Sequence, residues 1–273
     1  MCVRPGPETP RVNFQWLQDL LLSKDLARDS ELEWVANCKG LRFLEEIDLM
    51  PSGNAVAFQS MPRCGNSFLR RILETITGVY SGSDMNIDLT TQMIFDGRLA
   101  GESTVADDKL VWITKTHWPM ESPMGAKKFS ANKCISIVRN PIDMMPSFSY
   151  LYLTTTHTKV TDIPSNEADP EWWNGFVTKV AQATNGARNV MRRDLEPQIP
   201  CYYIRYEDLV LNPGPILREL FAFLLDVDTI EGTVLEKRVE DYLAKGSANA
   251  SVYKLKVDPR KNLSRNRGMY TDA

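Results

Sequence analysis

The 273-residue sequence has no apolar run approaching the about 18 residues that a membrane span requires. It has no CxxC pair either. Its five cysteines, Cys2, Cys38, Cys64, Cys134 and Cys201, are odd in number and scattered, which argues against a disulfide framework or a zinc site. Cys134 and Cys201 fall in apolar runs and are expected as small core residues. The opening MCVRPGPETPRV lacks the apolar segment of a signal peptide, so the expected setting is cytoplasmic. A secretory-lumen domain is the alternative if an anchor lies outside this chain. With a net charge of −3 there is no overall cationic excess, and no nucleic-acid partner is expected. There is no internal repeat, and the sequence offers no reading of oligomeric state.

What is present suits a chain able to bury a full core: 43% hydrophobic and 25% charged residues. Residues 1–50 read as an N-terminal arm with helices packed on a core, and 51–273 as the main domain. After a proline-bearing arm over 1–12, helical periodicity runs through Asn13–Leu22 and again near Glu31–Ile47, with an interruption at Gly40. Short, nearly continuous apolar runs follow at Val56–Phe58, Leu110–Ile113, Ile135–Val138 and Tyr202–Ile204, as expected of strands covered on both faces. Helical patterns at Ser67–Thr77, Pro141–Leu153, Trp172–Arg193 and Ile216–Leu225 alternate with them. The alternation predicts a three-layer α/β fold around a mainly parallel sheet, with its ligand site at the carboxyl ends of the strands. The polar stretch Thr154–Asp169 reads as a loop, a candidate lid.

Four constellations lie just after the predicted strands. The first is Pro62-Arg63-Cys64-Gly65-Asn66-Ser67, a Gly-containing turn that opens an amphipathic helix with Phe68, Leu69, Ile72, Leu73 and Ile76 on one stripe. A strand, tight turn and helix N-terminus of this kind form a phosphate cradle, because free N–H groups and the positive helix end converge. The GK[ST] ending of an ATP-binding loop is missing. The second is Lys115-Thr116-His117, with one of only two histidines in the chain, a side chain matched to taking a proton near neutral pH. The third is Arg139-Asn140-Pro141-Ile142-Asp143 with Ser147 eight residues beyond Arg139, an arginine fork and a hydroxyl able to share one phosphate. The fourth is Tyr206-Glu207-Asp208-Leu209, in which the tyrosine serves a nucleotide or the core and the acidic pair caps a helix.

In this order the four motifs resemble those of the PAPS-dependent sulfotransferases. The resemblance covers residues 56 to 209 and continues into a basic tail between Lys254 and Arg267. It implies a sulfotransferase fold with a P-loop-like strand–loop–helix. It also implies sulfonate transfer from PAPS to a hydroxyl acceptor, a glycan or a small alcohol or phenol, leaving PAP. On this resemblance the Arg63–Ser67 loop, through Arg63, Cys64, Gly65, Asn66 and Ser67, holds the 5′-phosphosulfate. His117 is the general base, and Lys115 and Arg63 stabilise the leaving phosphate. Arg139 and Ser147 bind the 3′-phosphate, Tyr206 lies in the nucleotide site, and no metal is required. Two departures stand out. Arg63 replaces the lysine of many members, and the C-terminal 3′-phosphate loop is only approximated, by Arg260-Lys261-Asn262 or Arg267-Gly268. The run GNSFLRRILETITGVYSGS is similar to sulfotransferase-like domains of WSC-domain proteins, whose acceptors are glycans.

Two other classes make different predictions. A P-loop kinase or phosphotransferase requires a GK[ST] loop and a Mg²⁺-holding carboxylate. Here the loop reads GNS, and Asp143 and Asp208 lack the matching loop. A non-catalytic nucleotide-binding relative has no need of His117 and Lys115 together. The acceptor site is expected in the loops Tyr80–Val105 and Thr154–Trp173. Trp118, Phe148, Tyr152, Trp172 and Trp173 are candidates to line an apolar or sugar-stacking site, and at least half of them are expected to be ordinary core.

Overall fold

A computed structural model describes residues 11–35, 41–46, 48–49, 53–85, 101–120, 125–154, 169–245 and 270. The 1–10 arm, Cys2, Cys38, most of the 154–169 loop, much of the 80–105 loop, and Arg260, Lys261 and Arg267-Gly268 lie outside the described residues.

Five parallel strands form the central sheet: β3 (Val56–Ser60), β4 (Gly82–Ser83), β5 (Ile113–Thr116), β6 (Lys133–Val138) and β7 (Cys201–Arg205), in spatial order β4-β5-β3-β6-β7. A second, two-stranded sheet pairs β1 (Arg11–Val12) with β2 (Phe43–Leu44). The helices are α1 (Phe14–Leu21), α2 (Asn66–Thr77), α3 (Pro141–Thr154), α4 (Pro170–Val190), α5 (Tyr206–Leu211), α6 (Pro213–Leu225) and α7 (Val234–Lys245). From β3 the chain first lays strands on one side, then crosses to lay β6 and β7 on the other. That reversal opens a crevice at the carboxyl end of β3, where open α/β sheets bind ligands.

The three-layer parallel architecture follows the sequence pattern. All five residues of β3 are buried, and α2 sets Leu69, Ile72, Leu73 and Ile76 against the sheet at 1% exposure or less. Burying side chains of this size stabilises the fold by about 1.5–3 kcal/mol each. Gly78 ends the helix at φ 78°, its N–H returning to Glu74 O at 2.8 Å. Phe14, Leu17, Leu20 and Leu21 of α1 join the same core cluster as the sheet residues.

Several expectations are corrected. The helix expected over Glu31–Ile47 is instead a 3₁₀ run, Leu26–Val35, and the extended β2. Phe43 and Leu44 are buried, and Leu44 N–H bonds to Leu110 O at 2.8 Å, so tertiary pairing overrides local periodicity. The strand expected at Leu110–Ile113 lies later, at Ile113–Thr116. Its buried polar residues conceal it: Thr114 Oγ1 accepts from Ala106 N–H at 2.8 Å, which removes the cost of burying that hydroxyl. Lys115 and Thr116 are therefore in the strand and only His117 follows it. Strand β7 has one buried residue, Ile204, rather than two covered faces, because it is a sheet edge. Cys134 is fully buried as expected, whereas Cys201 is half-buried. Strand β4 and helix α7 were not anticipated.

Candidate functional site

The turn after β3 has the geometry of an anion cradle. Arg63 adopts φ 68° and Gly65 φ 102°, both left-handed. Gly65 is the N-cap of α2, and no side chain caps it, so the first-turn N–H groups face the turn without a capping acceptor. A β-carbon at Gly65 would lie 2.5 Å from Tyr206 Cδ2, so glycine is required both by φ and by space. Asn66 Nδ2 donates to Ser60 Oγ at 3.0 Å and ties the helix start to the strand end. Cys64 turns its side chain into the core, where burial pushes the thiol up to about 11, so it serves the turn through its backbone. Ser67 stands half-buried in the first turn.

Beside this turn the structure gathers Arg63, Arg139, Ser147 and Tyr206. Arg63 Nε donates to Ser147 Oγ at 2.9 Å. Arg139 Nη1 donates to Arg63 O at 3.1 Å, and its guanidinium carbon lies 4.6 Å from the Tyr206 ring centroid. Phe68 meets the same tyrosine edge-on at 6.2 Å. Among the described residues, buried Arg139 Nε has no hydrogen-bond partner. Glu207 accepts from Asn140 N–H at 2.9 Å and links the end of β6 to α5, while no side chain caps α5 itself, so the acidic pair does not cap its own helix.

On the other side of β3, His117 Nδ1 lies 2.5 Å from Ser60 O. A carbonyl oxygen can only accept, so Nδ1 carries a proton, and in the neutral ring the lone pair is on Nε2. Lys115 is 7% exposed and points its ammonium at Met85 Sδ. Burial is the main force lowering its pKa to about 8; Glu102 opposes the fall, Arg70 adds to it, and Asp84 opposes it. The surrounding charges are themselves buried. Arg70 of α2 bonds Glu102 and donates to Ser81 Oγ at 2.8 Å, while Glu74 accepts from Ser81 Oγ at 2.6 Å. Burial pushes Glu102 up, but Arg70, Lys115 and a bond from Ser83 outweigh it, and the carboxyl titrates below its ordinary value. Burial raises Asp84, against a bond from Thr116 and the charge of Lys115.

Sequence reasoning missed this network. Arg70, Glu74, Asp84 and Glu102 carry no local mark of depth, and only tertiary packing buries them. It also separated Arg63 from Ser147, assigning one to each end of the nucleotide, whereas their side chains are joined. Of the five aromatic candidates, Trp173 is buried, Phe148 and Trp172 are half-buried, and Tyr152 and Trp118 are 64% and 39% exposed. The expectation that at least half are ordinary core is thereby corrected.

A parallel sheet with an N–H-lined turn at its switch point, flanked by arginines, defines a P-loop-like α/β protein. The sulfotransferase-domain family matches residues 16–266, and the chain belongs to that family. Among solved structures it is similar to mouse sulfotransferase SULT7A1 complexed with PAP. That likeness is at 17% identity over 82% of each chain, with a TM-score of 0.42. Among curated proteins none matches the chain. No described helix is long and apolar enough to cross a membrane.

Proposed function

We propose that this chain transfers the sulfonate group of PAPS to a hydroxyl acceptor by in-line displacement, with His117 as general base. The observation that carries this is the His117 Nδ1–H bond to Ser60 O, which fixes the ring at the end of β3 with Nε2 as the proton-accepting nitrogen. The residues present fit the donor. Arg139 Nε is a buried donor without a described partner, and the turn closed by Gly65 presents uncapped N–H groups. PAPS supplies a sulfonate activated on its 5′-phosphate.

His117 Nε2 takes the proton from the attacking hydroxyl as its oxygen bonds to sulfur. As the sulfur–bridging-oxygen bond breaks, charge gathers on the departing 5′-phosphate. The N–H groups of Gly65, Asn66 and Ser67 and the ammonium of Lys115 stabilise that charge. Lys115 must leave Met85 to do so. Arg63 holds charge but gives up no proton, so it assists as a fixed cation. Its bond to Ser147 supports a shared grip on a phosphate, with Arg139 alongside and Tyr206 backing the guanidinium. The resemblance also assigns a share of the 3′-phosphate to the basic tail, through Arg260 and Lys261 or through Arg267, all outside the described residues. Residues 51–273 are assigned the chemistry, and of the described residues before them Phe14, Leu17, Leu20, Leu21 and Leu44 pack into the same core. The free thiols of Cys64, Cys134 and Cys201 suit a reducing compartment such as the cytoplasm.

Incubation with ³⁵S-labelled PAPS and a panel of glycan, phenol, steroid and tyrosyl-peptide acceptors tests the reading. Transfer of label to one acceptor class supports it. PAP binding with no transfer to any acceptor favours a non-catalytic relative.

A further inference from the structure

Two of the described cysteines face each other at the edge of the central sheet. Cys134 of β6 stands in register with Cys201 of β7. Cys134 N–H donates to Pro200 O at 2.9 Å and fixes the two strands at that point. Registered residues of neighbouring parallel strands put their side chains on one face. Their backbones lie about 4.8 Å apart, inside the range of about 4.4–6.8 Å between Cα atoms that a disulfide spans. Both side chains pack in one cluster with Ala57 and Met191. Each thiol also has a carbonyl acceptor, Ile135 O for Cys134 at 3.6 Å and Ile199 O for Cys201 at 3.5 Å.

The two sulfurs differ in access. Cys134 is fully buried, whereas half-buried Cys201 lines a cavity of about 410 Å³ with Glu196, Gln198, Ile199 and Tyr203, where the chain enters the edge strand. They also differ as acids. A hydrogen bond from Cys134 holds the Cys201 thiol below its ordinary range, against burial and the charge of Glu196. The same bond, with burial, pushes Cys134 up. The thiolate is the form that attacks a disulfide, so Cys201 is the attacking sulfur and Cys134 the resolving sulfur behind it. Glu196 is the one charged group among the described lining residues, and it accepts from Tyr203 O–H. Its carboxylate favours a neutral reagent over an anionic one. Cys64 belongs to a different cluster, and burial pushes its thiol up to about 11.

We propose that Cys134 and Cys201 form a dithiol site that a small neutral disulfide converts reversibly into a cross-strand disulfide. The Cys201 thiolate attacks one sulfur of the reagent. The S–S bond of the reagent breaks, and its other half leaves as a thiolate that takes a proton from water. Cys134 then gives its proton to solvent and attacks Cys201 Sγ, which forms the Cys134–Cys201 bond and releases the second half. Two protein thiols are oxidised, and one disulfide is reduced to two small thiols. The pair sits near the amino ends of β6 and β7, whereas Arg139 and Tyr206 follow their carboxyl ends, about 16 Å away at about 3.3 Å per residue. The site is thus separate from the anion cradle and does not depend on the sulfotransferase reading.

The experiment treats the full, folded chain with hydroxyethyl disulfide, blocks the remaining thiols, and maps the cysteines by mass spectrometry after digestion. Expected in the wild type is a Cys134–Cys201 peptide pair lacking two hydrogens, which dithiothreitol returns to two thiols, while Cys64 stays a thiol. Cys134→Ser is expected to stop at a hydroxyethyl adduct on Cys201, and Cys201→Ser to leave Cys134 unmodified. In the reduced wild type, iodoacetamide is expected to alkylate Cys201 at least about 10-fold faster than Cys134 or Cys64. The wild-type map decides the matter even if a variant folds poorly. A hydroxyethyl adduct that persists on wild-type Cys201 with Cys134 still a thiol overturns the pairing. Cys201 joined instead to Cys2 or Cys38, or Cys201 that stays a thiol throughout, overturns the site.

Discussion

Arg63 Nε donates to Ser147 Oγ at 2.9 Å across 84 residues of chain. The bond joins the turn after β3 to α3, and it brings together two side chains that the sequence motifs place at opposite ends of a nucleotide. In a shared phosphate grip, neither residue acts alone. Arg63→Ala and Ser147→Ala are each expected to weaken PAP binding, the arginine variant by about 10- to 100-fold, as for a lost charge-assisted bond. The double variant loses less than the product of the two. Calorimetric titration of the four proteins checks this, and strictly multiplicative losses contradict the shared grip.

Arg139 offers a second test at the same corner. Its guanidinium lies over Tyr206 and donates to Arg63 O, with Nε buried and unpartnered among the described residues. Lysine keeps the charge but loses the fork and the stacking. Arg139→Lys is expected to weaken PAP by about 10-fold while changing AMP affinity little, because only PAP carries the 3′-phosphate. Equal losses for both ligands would move Arg139 away from the 3′-phosphate.

Gly65 ties the turn to α5. At φ 102° and with Tyr206 2.5 Å from any added β-carbon, Gly65→Ala is expected to cost about 1–3 kcal/mol in stability. It also displaces Tyr206 and lowers PAP affinity. Urea denaturation and PAP titration measure the two effects, and wild-type values for both contradict the cradle geometry.

Lys115 sets a pH dependence. Burial lowers its pKa from 10.5 to about 8, so kcat/KM falls as pH rises through about 8 and the leaving phosphate loses a cation. Phosphate binding favours the charged form, so the same limb in kcat lies at higher pH. Lys115→Arg, charged throughout, removes the limb. Stability runs in the opposite sense. Between about 8 and 10.5 the unfolded chain binds the proton that the folded chain has released, so stability rises with pH across that window. Denaturant titrations at pH 7.5 and 9.5, set against Lys115→Met, read that rise. The same slope in the variant would assign it to another group.

The layer order and the glycine-bearing turn after β3 were legible in the sequence because each rests on local pattern. The apolar run Val56–Phe58 marks β3, and glycine at 65 and 78 brackets α2. What escaped depends on tertiary partners. Strand β5 reads as Ile-Thr-Lys-Thr, which looks like a surface segment until Ala106, Asp84 and Glu102 supply partners for its polar groups. Residues 41–46 have helical spacing, yet pairing with β1 and Val79 makes them extended. The residue types singled out the candidates, but the pairing of Arg63 with Ser147 depends on the left-handed turn that carries Arg63 and on the placement of α3.

The most direct test is a single-turnover comparison of wild type and His117→Ala with labelled PAPS and an accepted hydroxyl substrate, with PAP affinity measured in parallel. The expected result is a rate lower by about 10²–10⁴ in the variant, with PAP affinity unchanged. A variant that transfers sulfonate at the wild-type rate would contradict His117 as the base.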